Sequence, residues 1–273
     1  MKKTIQRALG WMACLAAAGA WAEGVAFLTN LKGDVAVDGA RPQLLGELAR
    51  GQKVTLGKDA QASVMYIASG KEFALRGPGD FVVEAAEVAS SSGGTAPTAR
   101  ATEWRASAKV LGQVAQTSAA SVRMRSIAPP KPAVQSLFPS QGNIATLQPT
   151  FRWTTSGPAE IKLSVVGEAK PVHVGKAADN SYHMPAKLKP DTEYVWTVSS
   201  GGNEIGTGKF RTLPLEAIQR AEKRKPSERA DFSDRVMYAL MLQDLGATQE
   251  AQEAWAKLAQ ERSDLPELAA LGR

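Results

Sequence analysis

The chain has 273 residues, with 33 lysine and arginine residues against 27 aspartate and glutamate residues, which gives a net charge of +6. A mild excess of positive charge, interspersed with negative charge, does not indicate a protein that binds nucleic acid. The single cysteine, Cys14, excludes an internal disulfide framework, and two histidines are too few for a histidine-based metal site.

The first 22 residues have the three parts of a secretory signal peptide. Three basic residues stand within the first seven positions, an apolar run covers residues 8–20, and the small residues Ala20 and Ala22 form a cleavage site. A membrane anchor is the alternative interpretation, but this run is shorter than the roughly 20 residues that span a bilayer. We therefore expect cleavage after Ala22, a periplasmic or otherwise exported protein, and no transmembrane span in the mature chain.

Short strands are predicted throughout residues 25–88. Apolar and polar positions alternate in runs that glycine residues separate, a pattern typical of β-strands bounded by turns. In the run SVMYI (residues 63–67), apolar side chains occupy both faces, so we expect a strand that is covered on both sides.

The glycine spacing of this region resembles the FecR-type domain of bacterial envelope proteins. The matching positions are Gly33, Val35, Leu48, Gly51, Val54, Gly57, Ala62, Val64, Gly70 and Leu75. Residues 116–126 (QTSAASVRMRS) are similar to a later segment of the same family. The resemblance implies a mostly β module outside the cytoplasm, at residues 23–128. The family's founding role is to relay receptor occupancy to a sigma factor, which requires a membrane span and a cytoplasmic tail. We therefore expect the fold and compartment to carry over, with signalling beside a membrane partner as an alternative.

A proline-rich linker and a second β region follow. The proline residues at 129–136 favour an extended connection between domains, and the turn signals over residues 137–214 recur about every ten residues, as in a β-sandwich. This region resembles fibronectin type III and immunoglobulin-like modules. The resemblance is carried by Pro139, the PTFRW run at 149–153, the LKPDT turn at 188–192, Tyr194 and Trp196.

The aromatic residues of this second region have two possible roles. Trp153 and Trp196 stand at strand positions, where a small sandwich buries large rings, although exposed tryptophans also stack against sugars. We expect both rings in the core. The resemblance further implies that Tyr194 is a corner tyrosine whose hydroxyl bonds to nearby backbone.

Helices are predicted after Pro214, over residues 215–273. Glycine becomes rare, the first helix can continue until Pro226, and two further helices meet at Gly246, with Thr248 as the expected N-cap of the last. The last two helices are similar to one tetratricopeptide-type repeat. Their apolar residues include Leu240, Met241 and Trp255, which either bind a partner or pack on the protein's own β region.

The sequence contains no catalytic or cofactor motif that we recognise. It has no P-loop, nucleophile elbow, zinc-protease helix or dinucleotide fingerprint. We expect Asp231 and Asp234 to be solvated charges. The basic stretch at 220–229 contains interleaved acidic residues, which favours a solvated linker over a patch for anionic lipid or polysaccharide.

Together these patterns predict a mainly β fold. A FecR-like domain and an immunoglobulin-like sandwich precede a C-terminal helical hairpin. The expected function is that of a non-catalytic exported envelope protein, without cofactor or metal, that binds or scaffolds a protein partner, peptidoglycan or another glycan. A cell-wall-modifying enzyme is the remaining alternative.

Overall fold

The computed structural model describes residues 24–102, 104, 137–227 and 229–272. This part of the chain is mainly β, with seventeen strands and four helices, as the sequence predicted. The predicted signal peptide (1–22), the linker (129–136) and the second FecR-like segment (116–126) lie outside the described residues.

In the described residues of the first β region, 24–102 and 104, nine strands form two antiparallel sheets. The strands are β1 (Gly24–Lys32), β2 (Val35–Val37), β3 (Glu47–Ala49), β4 (Lys53–Leu56), β5 (Gln61–Tyr66), β6 (Lys71–Arg76), β7 (Gly79–Val83), β8 (Val88–Ser92) and β9 (Thr98–Ala101). One sheet has the order β3-β1-β5-β6-β9 and the other β2-β4-β7-β8. Gly51 and Gly70, two of the glycines in the FecR-like spacing, have φ of 88° and 66°, which side chains rarely tolerate.

The central strands of this region are covered on both faces. Val64, Met65 and Tyr66 of β5 are all 2% exposed or less, although neighbouring side chains of a strand point to opposite faces. The second sheet and the helical region share this core. The expectation of a strand covered on both sides is therefore confirmed.

Eight strands build the second β region. They are β10 (Leu137–Phe138), β11 (Asn143–Ile144), β12 (Thr150–Trp153), β13 (Ala159–Val165), β14 (His173–Ala177), β15 (Ser181–His183), β16 (Glu193–Ser200) and β17 (Asn203–Thr212). The sheets have the orders β10-β12-β15 and β11-β17-β16-β13-β14, and only β11 and β17 pair in parallel.

This second region has a separate aromatic core. Trp153 is 5% exposed and Trp196 is fully buried, so the prediction that both are core residues is confirmed. The Phe151 and Trp196 rings pack with centroids 4.8 Å apart. The Tyr194 hydroxyl accepts a hydrogen bond from the backbone N–H of Lys189 at 3.0 Å, as expected of a corner tyrosine.

Four helices complete the described chain. They are α1 (Leu215–Arg224), α2 (Phe232–Asp244), α3 (Thr248–Glu261) and α4 (Leu268–Leu271). Gly246 lies just past α2 with φ of 73°, which suits a helix C-terminus. The predicted N-cap at Thr248 is wrong, because the helix already includes Thr248 and the cap residue is Ala247. The Thr248 hydroxyl instead donates a long hydrogen bond, 3.4 Å, to the carbonyl of Gly246.

All four helices belong to the core of the first β region. Buried residues of β1 to β8 and of each helix form one continuous cluster, and α2 packs against β1. Within the described ranges, no helix has the length and hydropathy needed to cross a membrane.

Candidate binding site

The predicted partner-binding residues pack against the protein's own core. Leu240 and Trp255 are each 1% exposed, and Met241 is partly buried against the same cluster. The Trp255 indole N–H also donates to the Gln243 side chain at 3.3 Å. All three side chains belong to, or pack against, the core that the helices share with the first β region, and the cleft and recess described below are lined by other residues.

A guanidinium joins the first β region to α2. Arg100, on the edge strand β9, donates from Nε to Glu72 and from two terminal nitrogens to Asp234, at 3.0 and 2.9 Å. Glu72 is 2% exposed and also accepts a 2.7 Å hydrogen bond from the Thr29 hydroxyl. Asp234 receives a further bond from the Trp104 indole N–H. Asp234 is thus part of a contact network, while Asp231 is exposed as expected.

A second arginine ties the end of α3 to β1. Arg262 contacts the Leu31 carbonyl and donates to the Asn30 side chain at 3.0 Å. The same guanidinium makes a two-point ion pair with Asp264, with both distances 2.8 Å. The side-chain hydrogen bond from this arginine, with its electrostatic attraction added, lowers the pKa of the Asp264 carboxyl against the opposing effect of desolvation. The loop after α3 is therefore held against the first β region.

The first turns of α3 hold the second β region. Gln249 accepts the Ser140 backbone N–H at 2.7 Å, and Glu250 accepts the Ala145 backbone N–H at 2.7 Å. One turn further along, Glu253 forms an ion pair with Arg152 of β12. The helical region therefore contacts both β regions through polar side chains.

The carboxyl of Glu250 has a pKa well above its ordinary value. Desolvation is the largest cause that raises the pKa of its carboxyl to about 7, with repulsion from Glu253 adding to the rise. The Ala145 N–H and the attraction of Lys225 oppose it. Nearby Tyr238 is also desolvated, and its pKa rises to about 12. The interface between α3 and the second β region therefore contains a carboxyl that titrates near neutral pH.

A cleft of about 400 Å³ opens where the first β region meets the loop between α3 and α4. Its apolar lining comes from Leu31, Val35 and Leu265, each 6% exposed. Its charged lining includes Arg41 and Glu267. Glu267 is 7% exposed, and its Oε1 accepts the Leu44 backbone N–H at 2.9 Å. The cleft thus combines an apolar lining with one cationic side chain, Arg41, and two anionic ones, Asp264 and Glu267.

A smaller and more open recess lies beside the Arg100 network. It is lined by residues that include Trp104, Arg224 and Pro226, and the Arg224 guanidinium lies 5.7 Å from the centre of the Trp104 ring. Its polar groups already bond within the chain, as those of Arg100 and Asp234 do. We regard the larger cleft as the better candidate site.

The two histidines lie on the surface or support the fold. His183 is exposed and bonds to the Thr150 hydroxyl, while half-buried His173 bonds to Tyr182. In the described ranges no group of three or more histidine, cysteine, aspartate or glutamate residues is placed to hold a metal ion. Sequence reasoning missed Arg41 and Glu267, because no local motif connects two loops that are more than 200 residues apart.

The comparisons with protein families and with curated proteins were both negative. No protein-family model matches the chain, and the search of curated proteins found no match.

Proposed function

We propose that the protein is a non-catalytic, exported component of the bacterial envelope that binds or scaffolds a partner in the periplasm. The partner is an envelope protein or a cell-wall glycan. In this proposal residues 23–128 form a FecR-like domain and residues 137–214 form a fibronectin type III or immunoglobulin-like domain. Residues 215–273 contain a tetratricopeptide-like hairpin.

The observation that carries this proposal is the position of the helical region between the two β regions. The four helices complete the core of the first β region, and α3 holds the second through Gln249, Glu250 and Glu253. One chain thereby presents the outer faces and free edges of two β bodies together. Such faces and edges are surfaces that recognise proteins and polymers.

The contacts of the buried carboxylates support a binding role over a catalytic one. Glu72 bonds to Thr29 and Arg100, and Glu250 bonds to the Ala145 backbone. These carboxylates join segments of the fold, which differs from a pair of carboxylates that flank a bond to be broken. Export is supported by the charged start, apolar run and small cleavage residues of the first 22 positions.

Cell fractionation with N-terminal sequencing tests the export step. We expect the protein in the periplasmic fraction with Glu23 as its first residue. A chain that retains Met1 and stays in the cytoplasm or the membrane contradicts the proposal.

Cross-linking in living cells tests the binding role. A photo-reactive residue at Val174 of β14, which is 48% exposed, samples the outer sheet face, and one at Leu215 of α1, also 48% exposed, is a matched control elsewhere. We expect the Val174 position, and not the Leu215 control, to give a discrete adduct with an envelope protein or wall fragment. Capture of a receptor or an anti-sigma protein would assign the signalling role instead. Turnover of labelled peptidoglycan by the purified protein would assign the enzyme role.

A further inference from the structure

Of the three charged side chains that line the 400 Å³ cleft, Arg41 and Glu267 form no ion pair within the described chain. Glu267 uses Oε1 to accept the Leu44 N–H, and among the described residues no donor bonds to its Oε2. Arg41, an exposed residue of the lining, forms no ion pair within the same described ranges, although its charge helps to lower the pKa of the Asp264 carboxyl. Asp264 differs from both, because it is already paired with Arg262. The cleft therefore offers one anionic and one cationic group to a ligand.

The side chain of Glu267 is too deeply buried to be an ordinary surface carboxylate. It is 7% exposed, and a carboxylate at that depth is stabilised by the hydrogen bonds it accepts. One backbone N–H satisfies part of its accepting capacity, and a ligand amine in the cleft would supply more.

The rest of the cleft limits the size and type of ligand. A volume of about 400 Å³ is at the small end of ligand pockets and fits roughly two or three amino-acid residues. Leu31, Val35 and Leu265 offer contacts for short alkyl side chains. The side-chain amide of Gln43 lies in the same lining and can bond to a peptide group.

We propose that this cleft binds a short peptide that carries both a free amine and a free carboxylate. The amine bonds to Oε2 of Glu267, the carboxylate pairs with Arg41, and small alkyl side chains cover the apolar lining. This inference rests on the proposed role of a binding protein and names a ligand class for it. Free peptides have this chemistry. Peptide stems of the cell wall have it where they contain a diamino acid, because the stem's N-terminus is amide-linked to the sugar and its free amine is on that side chain.

Titration of the full mature chain with the tripeptide Ala-Ala-Ala tests the proposal. We expect a dissociation constant of roughly 0.1 to 1 mM for a ligand of this size. N-acetylation of the peptide should weaken binding about tenfold, because it removes a charge-assisted bond to a buried carboxylate. C-terminal amidation should weaken binding about two- to fivefold, because the pair with exposed Arg41 is screened by water.

Two variants assign each effect to its residue. Glu267→Gln keeps an acceptor for the Leu44 N–H and should abolish the difference between the free and the acetylated peptide. Arg41→Gln should abolish the difference between the free and the amidated peptide. Glu47→Gln and Arg50→Gln, which change exposed residues of β3 and the following turn outside the cleft, should leave both differences intact.

The backbone amide of Leu44 is a direct structural readout, because its N–H bonds to Glu267. Its NMR signal should move on titration in the unmodified protein. The proposal would be overturned if the free, acetylated and amidated peptides bound equally. It would also be overturned if the Leu44 signal did not move at a peptide concentration of about 10 mM, roughly tenfold above the weakest expected dissociation constant. These outcomes are separate from the export and cross-linking results, which test the proposed function without reference to the cleft.

A final comparison distinguishes the sources of the peptide. Tighter binding of a disaccharide-tetrapeptide wall fragment than of the tripeptide assigns the cleft to wall peptides. Equal or weaker binding of the fragment assigns it to free peptides. A peptide-free chitin oligosaccharide carries neither charge, so its binding in the cleft would contradict the proposal.

Discussion

Arg100 shows how one side chain can connect two parts of the molecule. Its guanidinium reaches Glu72 in the first β region and Asp234 in α2, while the Glu72 carboxylate is almost completely buried. A buried carboxylate without a cationic partner destabilises the folded state. Loss of Arg100 should therefore lower the stability mainly by leaving the Glu72 carboxylate unpaired.

We expect Arg100→Met to destabilise the fold by about 3 to 5 kcal/mol, because it leaves the buried Glu72 charge uncompensated. Urea unfolding measures this loss. Arg211→Met is the matched control, since it breaks an exposed ion pair with Asp191, and it should cost about 0 to 1 kcal/mol. Adding Glu72→Gln to Arg100→Met should recover part of the stability. Equal losses in the two single variants would show that the Arg100 network contributes no more than a surface pair.

Glu250 makes the stability depend on pH near neutrality. Its pKa in the folded protein is about 7, above the ordinary value of 4.5, so the folded state favours the protonated form. The contribution of Glu250 is fully present below about pH 4.5 and is lost as the pH rises through 7.

We expect the free energy of unfolding to fall by roughly 1 to 3 kcal/mol between pH 5 and pH 8 through this group. Glu250→Gln retains an acceptor for the Ala145 N–H without the charge, so its stability should be flatter over the same pH range. Denaturant unfolding at several pH values measures the slope. Glu204→Gln, a change at an exposed position of β17, should retain the slope of the unmodified protein. A Glu250→Gln profile as steep as that of the unmodified protein would contradict this role.

Strand β17 shows why the second β region needs glycine at particular positions. Gly208 lies opposite Trp196, whose indole N–H donates to the Pro139 carbonyl at 2.7 Å. A Cβ at Gly208 would meet the Trp196 indole nitrogen and lie 2.5 Å from the Pro139 oxygen. The strand therefore keeps space for a hydrogen bond that fixes the central tryptophan.

We expect Gly208→Ala to lower the free energy of unfolding by about 1 to 3 kcal/mol or more, because the backbone at Pro139 and the packed indole of Trp196 must shift. Gly206→Ala is a close control in the same strand. Its Cβ would meet Leu137 Cδ2 at 2.7 Å, and the end of a leucine side chain can move at lower cost. Thermal unfolding should therefore rank Gly208→Ala as the less stable variant, and the reverse order would contradict the packing argument.

The elements were more predictable from sequence than their contacts. Alternation and glycine spacing predicted the β regions, and the Gly246 signal predicted the end of α2, because these patterns reflect local backbone preferences. The burial of Trp153 and Trp196 followed from their strand positions. The pairing of Arg100 with Asp234 joins residues 134 positions apart, and that of Leu44 with Glu267 joins residues 223 apart. No local period encodes such pairs, so neither the helix interface nor the cleft was predicted.

At the scale of the whole molecule, the two β regions differ in how they complete their cores. The first shares its core with all four helices, whereas the second encloses its own cluster around Trp196. Removal of the helices should therefore affect the two regions unequally.

We expect a chain truncated after Leu213 to expose the first core and bind the dye ANS, while the second region keeps its tryptophan signal in near-ultraviolet circular dichroism. Residues 137–213 expressed alone should give the same signal. The full mature chain is the reference, with both properties native. A truncated chain that binds no ANS would show that the first β region is stable without the helices.

The pairing of Leu44 with Glu267 also has a consequence for synthesis. At about 5 to 20 residues per second, the ribosome needs roughly 10 to 45 seconds to add the 223 residues between them. During that interval the earliest strands exist without the last segment that covers them. The contact between Leu44 and Glu267 therefore cannot form until Glu267 has been made, which gives chaperones time to engage the earliest strands before this contact closes.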